Sequence, residues 1–342
     1  MKRLIYVAAA LILPACGGGG GGGGGGPSPL VVSSRSPTDG TLNAARTTVV
    51  YVGFSRAADP TTVIGTNFTL SAGGNPVTAT VTYEPCNNTA KLVPSAPLAA
   101  STAHTVNLSS AITDTSGVPL AADTFTFTTG ASADTTLPAF GGIMGTIPAT
   151  TSMDLSWSAA TDASTPIVYE VFVSTVANCF NFGSPTQTTA AGATSANVPS
   201  LTSNTTYYFV VRARDAVGNV TQNTAQTTQK TLTSFLQDVW GSIVGVRCAG
   251  CHTSGQGSLV MMMSSATQTY TNWVNVNAVC VGLPAGTKRV LPSNGAASFV
   301  YQKVSMNPPP CGSRMPFDGP PFLSAAQQQT IRDWIDEGAL NN

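Results

Sequence analysis

The sequence predicts a multidomain chain, with two all-β sandwiches followed by a mainly α-helical third domain. Three observations predict it. Short β-rich runs alternate with turn clusters as far as about Thr231; beyond that point capped stretches with helical spacing take over; and the second part contains Cys248-Ala249-Gly250-Cys251-His252. The 342 residues suit two or three domains. Charged residues make up only 9% and the formal net charge is zero, so nothing points to nucleic acid as a partner.

At the N-terminus, Lys2 and Arg3 precede an apolar run from Leu4 to Leu13, which is too short for a permanent span and suits a secretory signal over 1–15. The run ends Leu13-Pro14-Ala15-Cys16, which resembles a bacterial lipobox. That resemblance implies cleavage before Cys16, a lipid on its thiol and membrane attachment through that anchor. Residues 16–33 form the linker, dominated by Gly17 to Gly26 and Pro27-Ser28-Pro29. Such a run buries nothing and acts as a flexible tether with a reach of roughly 15–20 Å. Gly17 after the cysteine, where an acidic residue would retain a lipoprotein in the inner membrane, implies by the same resemblance an outer-membrane lipoprotein, on its periplasmic or its surface face.

Between residues 34 and 130, runs such as Thr47–Val52, Val77–Tyr83 and Phe125–Thr128 are separated by Asp39-Gly40, Gly73-Gly74-Asn75-Pro76 and Ser116-Gly117. With Ser36-Pro37-x-Asp39-Gly40, Phe54-Ser55, Asp59-Pro60, Asn67-Phe68-x-Leu70 and Phe125-Thr126-Phe127, this segment resembles bacterial Ig-like domains. His104, in a strand-like stretch, is expected to pack or to face solvent and not to bind metal.

In residues 134–231, Met153-Asp154-Leu155-Ser156-Trp157 alternates, with Trp157 as the core aromatic, and Tyr207, Phe209, Val211 and Ala213 share one face. With Leu201-x-Ser203-x-Thr205-x-Tyr207, the segment resembles a fibronectin type III domain, which implies Tyr207 as that family's corner hydroxyl. Asp215–Asn219 reads as a turn that could in principle contribute oxygens to Ca²⁺, with a plain turn favoured. Cys86 and Cys179, one in each sandwich, either bridge the two or stay free.

The third domain, 232–342, opens with Ser234 as helix cap, Gln237 in the reciprocal position, and an apolar face of Phe235, Leu236, Val239, Trp240, Ile243 and Val244 leading into Cys248. A last helix starts at Ser324 with Gln327 three residues on, carries Ile331, Trp334 and Ile335 on one face, and stops near Gly338.

Cys248-x-x-Cys251-His252 is the attachment signature of c-type haem. Two thiols one helical turn apart can add to the two vinyl groups of a single porphyrin, and the next residue then offers an imidazole to the iron, making His252 the proximal ligand. A disulfide or redox pair leaves the histidine unexplained. Zinc needs further ligands, and the chain's second histidine, His104, lies far upstream. With no other histidine in this domain, the distal ligand is a methionine or an open site. Met315, in the Pro/Gly-rich loop Arg314-Met315-Pro316, is favoured over Met306 and the run Met261–Met263, which suits apolar filling at the haem edge.

The segment as a whole resembles small exported single-haem cytochromes c, on Cys248–His252, Arg289-Val290-Leu291-Pro292, Ser298-Phe299-Val300-Tyr301 and Cys311-Gly312-x-x-Met315-Pro316. The resemblance implies terminal helices packed across each other beside one covalent haem c, and a Met-Pro distal motif. A Cys280–Cys311 disulfide would rigidify that loop, contributing on the order of 3–4 kcal/mol through loop closure.

The function expected is one-electron transfer in the cell envelope, with a redox partner protein or an extracellular acceptor and without catalysis. The alternatives are an adhesion or polysaccharide-binding lipoprotein with an accessory haem domain, and a haem enzyme or cytochrome subunit of a larger oxidoreductase. A peroxidase would need acid–base groups at an open distal site.

Overall fold

The computed structural model describes residues 27–253 and 261–342. The signal, Cys16 and the glycine run lie outside the described residues, and among those described no helix is long and apolar enough to cross a membrane.

The first sandwich begins earlier than the composition suggested. Leu30 is fully buried, and the strand Val32–Ser36 is already paired with Val50–Phe54. One sheet runs in the order Val32–Ser36, Val50–Phe54, Thr89–Pro94, Ala79–Glu84. The other runs Thr41–Ala44, Asp123–Thr129, Ala103–Leu108, Phe68–Ala72, Asn75–Pro76, with Thr41–Ala44 parallel to Asp123–Thr129. Alternation places Phe68, Leu70, Val106, Leu108, Phe125 and Phe127 in the shared core. His104 belongs inside as well: it is 1% exposed, stacks on Phe127 with centroids 5.2 Å apart, and holds the Thr102 carbonyl through Nδ1 at 2.9 Å.

The second sandwich pairs a sheet of Ile143–Pro148, Met153–Trp157 and Ser195–Val198 with one of Gln187–Thr188, Val168–Ser174, Thr206–Arg214 and Thr227–Lys230. Trp157 is buried and donates its indole N–H to the Ala193 carbonyl at 3.0 Å. The Tyr207 hydroxyl accepts the Thr202 amide at 2.9 Å, so the corner forms as its spacing predicts. Tyr207, Phe209, Val211 and Ala213 all face the core.

The opposite face of Thr206–Arg214 is buried too, which alternation alone did not anticipate. Arg212 lies over the Phe182 ring at 3.4 Å, and its Nη1 donates to the Tyr51 hydroxyl of the first sandwich at 3.4 Å. Thr47 donates to the Asn219 side chain at 2.7 Å, and Cys86 is bonded to Cys179 with Cα atoms 5.9 Å apart. Of the two alternatives left by the sequence, the two sandwiches are bridged.

The third segment is only partly helical, a correction to the mainly helical expectation. Helices cover Phe235–Val244, Gly245–Arg247, Ala249–Thr253, Ala266–Trp273, Phe299–Ser305 and Ala325–Asp336. The intervals 274–298 and 306–324 are irregular because prolines such as Pro284, Pro292, Pro308, Pro309 and Pro310 supply no amide donor. Ser234 does cap the first helix through the Gln237 amide, but the reciprocal acceptor is Asp238, not Gln237. That helix is of the wide π type, with Val239 N–H reaching back five residues to the Ser234 carbonyl at 3.2 Å. The widened turn leaves Leu236 55% exposed, against its place on the predicted apolar face. The last helix has the full capping box of Ser324 and Gln327, with Ile331, Trp334 and Ile335 buried. Phe235 and Trp334 meet with centroids 4.8 Å apart, which packs the two terminal helices together. Asn204 to Thr330 (3.5 Å), the Lys230–Asp333 ion pair and Asn342 to Thr150 (2.8 Å) seat this segment on the second sandwich.

Burial holds the His104 imidazole below its ordinary value of 6.5, with the Thr102 carbonyl opposing in part. As pH falls below about 6.5 the unfolded chain takes up this proton before the folded one does. Urea denaturation should therefore show the first sandwich losing stability on going from pH 7.5 to pH 5, and His104→Phe should flatten that part of the dependence. Parallel pH profiles for the two proteins would contradict this reading.

Candidate functional site

The first helix delivers the Cys248–His252 turn to the core it helps to build. Val239, Ile243 and Val244 sit in a hydrophobic cluster with Met263, Trp273, Val300, Leu323, Ile331 and Trp334, and Cys248 packs against its edge. The Cys248 amide donates to the Val244 carbonyl at 2.9 Å, and the His252 amide to the Cys248 carbonyl at 3.1 Å. A single helical turn thus sets the two sulfurs and the imidazole. Both cysteines are free thiols; Cys248 is half-buried and Cys251 exposed. Burial pushes the Cys248 thiol up to about 11, with the Arg247 guanidinium opposing.

His252 Nδ1 is buried and finds no hydrogen-bond partner among the described residues. Burial lowers the imidazole pKa, opposed by the Met261 backbone, which favours the neutral form that a metal binds.

These groups open onto one cavity of about 540 Å³, within the range of small-molecule and cofactor sites. Cys248, Cys251 and His252 line it, and so do Met261, Met263 and Met315. Phe299, Val300, Val304, Leu323 and Ile331 make the walls apolar, while Arg247, Lys303 and Asp318 supply charge. Of the distal candidates, Met315 and two members of the Met261–Met263 run reach the cavity. Met306 is 45% exposed and lies outside the lining.

The loop that carries Met315 is tied down on several sides. Cys280 and Cys311 form a disulfide with Cα atoms 6.3 Å apart, and Cys280 itself borders the cavity. The Met315 amide donates to the Lys303 carbonyl at 2.8 Å, and Arg314 donates to the Val304 carbonyl at 3.2 Å while lying over the Phe322 ring. Sequence reasoning missed Lys303 and Trp273 as wall residues; for Lys303 the signal was present as the one basic residue of the helix Phe299–Ser305.

A cluster of Asp134, Asp162 and Asp215 lies in the second sandwich, and Asp215 caps its own turn through the Val217 and Asn219 amides at 3.0 and 2.8 Å. Those bonds hold the Asp215–Asn219 turn, and the three carboxylates stand close enough together to hold a metal ion.

Comparison with known proteins identifies the β-rich part. Residues 27–129 match the bacterial Ig-like domain and residues 145–230 the fibronectin type III domain, so the chain holds one of each; neither match extends to the segment with the cavity. No curated protein matches. Among solved structures, the S-layer protein rSbsC(31–844) is 16% identical over 60% of this chain, with a TM-score of 0.28. The match spans about a quarter (26%) of the S-layer chain's length. CopC from Methylosinus trichosporium OB3b is 15% identical over 31% of this chain and 99% of its own, TM-score 0.27. The FN1–FN3 domains of chicken CNTN1 are 15% identical over 60% of this chain and 69% of theirs, TM-score 0.26.

In the polypeptide with both thiols free, exposure should make Cys251 react with iodoacetamide well before Cys248. Time-resolved alkylation with peptide mass spectrometry measures the order. Equal rates would contradict the docked geometry of this turn.

Proposed function

We propose that this chain is an envelope-anchored carrier of a single covalently bound haem c and that it transfers one electron at a time. The observation that carries the reading is the convergence of Cys248, Cys251, His252 and Met315 on one apolar cavity. A cavity of about 540 Å³ with largely apolar walls suits a large apolar occupant.

The residues fit the group. Cys248 and Cys251 would hold it through thioethers; neither is engaged in a disulfide. His252 offers an uncharged imidazole with a buried, unpartnered nitrogen, and Met315 offers a thioether from a disulfide-braced loop. When bound, haem supplies a one-electron iron couple whose potential is raised by His/Met ligation. The Phe299, Val300 and Ile331 wall would exclude water from the bound group, and His252 and Met315 would both be ligands to its iron, which would discourage substrate chemistry there. The terminal helices and the irregular segments between them then belong to a cytochrome c-like domain.

The finer reading of location follows the same logic. Lipidated Cys16 and the glycine tether hold an outer-membrane lipoprotein at the lipid surface, and the bacterial Ig-like and fibronectin type III domains act as spacers. They carry the haem toward a redox partner protein or an extracellular acceptor. Neither sandwich type implies catalysis by itself.

Met315→Ala tests the ligand assignment. The ferric protein should lose the weak near-infrared band of methionine–iron coordination, and the reduction potential should fall, while haem remains covalently attached. A band and potential identical to those of the unmodified protein would move the distal ligand to another residue.

A further inference from the structure

The helix Phe299–Ser305 grips the Met315 loop with one side chain as well as with its backbone. The Lys303 ammonium donates to the carbonyl of Cys311 at 3.0 Å and to that of Ser313, while the Lys303 carbonyl takes the Met315 amide at 2.8 Å. Among the described residues no carboxylate forms an ion pair with this ammonium, so two loop carbonyls are the partners that compensate its charge. The Phe299 ring, 5.9 Å from Nζ, covers one side. Gly312, between the two carbonyls that accept from Lys303, has φ +61°, and a Cβ built there would stand 3.4 Å from Nζ. The left-handed glycine therefore lets the backbone wrap closely around the ammonium.

We infer that Lys303 is the positioning residue for Met315: its side chain folds Cys311–Ser313 around the ammonium and so presents the Met315 thioether to the cavity. The inference rests on the proposed function in taking Met315 as an iron ligand. The disulfide restrains where Cys311 sits, whereas Lys303 orients the carbonyls on either side of Gly312, so the two constraints are distinct. Without the ammonium the two carbonyls face a partly apolar wall unpaired, and the loop is expected to open more often.

The test uses the full mature chain carrying haem, with Lys303→Met and Lys303→Arg compared against the unmodified protein. Two quantities are read: amide hydrogen exchange over residues 311–315, and the rate at which cyanide binds the ferric protein, which requires Met315 to leave. Lys303→Met should exchange faster in this loop and bind cyanide roughly tenfold faster, reflecting the loss of two charge-assisted bonds at the half-buried Lys303. Lys303→Arg, which keeps the charge and several donors, should stay near the unmodified rates. If Lys303→Met is not recovered folded, Lys303→Gln carries the same expectation.

Unmodified exchange and cyanide rates in Lys303→Met would overturn the inference. Faster exchange with an unmodified cyanide rate would overturn it too, since the loop would then be held without consequence for Met315. A chain that never acquires haem would instead defeat the proposed function, and the exchange measurement would still report whether Lys303 clamps the loop.

Discussion

The third segment depends on one contact: the wide first helix pressed against the last helix through Phe235 and Trp334. That contact fixes where the first helix ends, and therefore where the Cys248–His252 turn begins. It also sets Ile331 of the last helix on the far wall of the same cavity. A shift of one residue in the first helix would rotate the thiols and the imidazole away from the cavity. The π-type hydrogen bonding tightens this dependence, because the register of its buried face, Phe235, Val239, Ile243 and Val244, belongs to the widened turn.

The two sandwiches are closed on each other by specific contacts. The Cys86–Cys179 bond, the stacking of Arg212 on Phe182 and its bond to Tyr51 join the two sandwiches. The second sandwich in turn holds the helical segment through Asn204, Lys230 and Thr150. These joints keep the cavity at a fixed place relative to the sandwiches. The cation–aromatic stack also hides an arginine that strand alternation would have sent to solvent.

Much of this was legible in the sequence, and the reasons differ from element to element. Tyr207, Trp157 and the alternating core of Thr206–Arg214 could be read because side-chain direction in a strand repeats every second residue. The last helix could be read because its capping box and its apolar stripe agree. Leu236 and Gln237 were misplaced because a normal helical period was applied to a helix with five-residue hydrogen bonds. Arg212 was missed because its partners, Tyr51 and Phe182, come from distant parts of the chain, and local pattern carries no record of such contacts. The irregular intervals of the third segment were underestimated because prolines mark where helices cannot run without saying what replaces them. At the site, the covalent motif announced Cys248, Cys251 and His252, whereas the clamp on the Met315 loop needs the fold to bring Lys303 beside Cys311.

The most direct test of the central claim is the intact mass of the exported protein, measured under denaturing conditions after acidified acetone extraction. The account predicts a chain heavier by one haem, with Cys248 and Cys251 closed to alkylation. A colourless chain at its bare polypeptide mass, with both thiols open to alkylation, would contradict it.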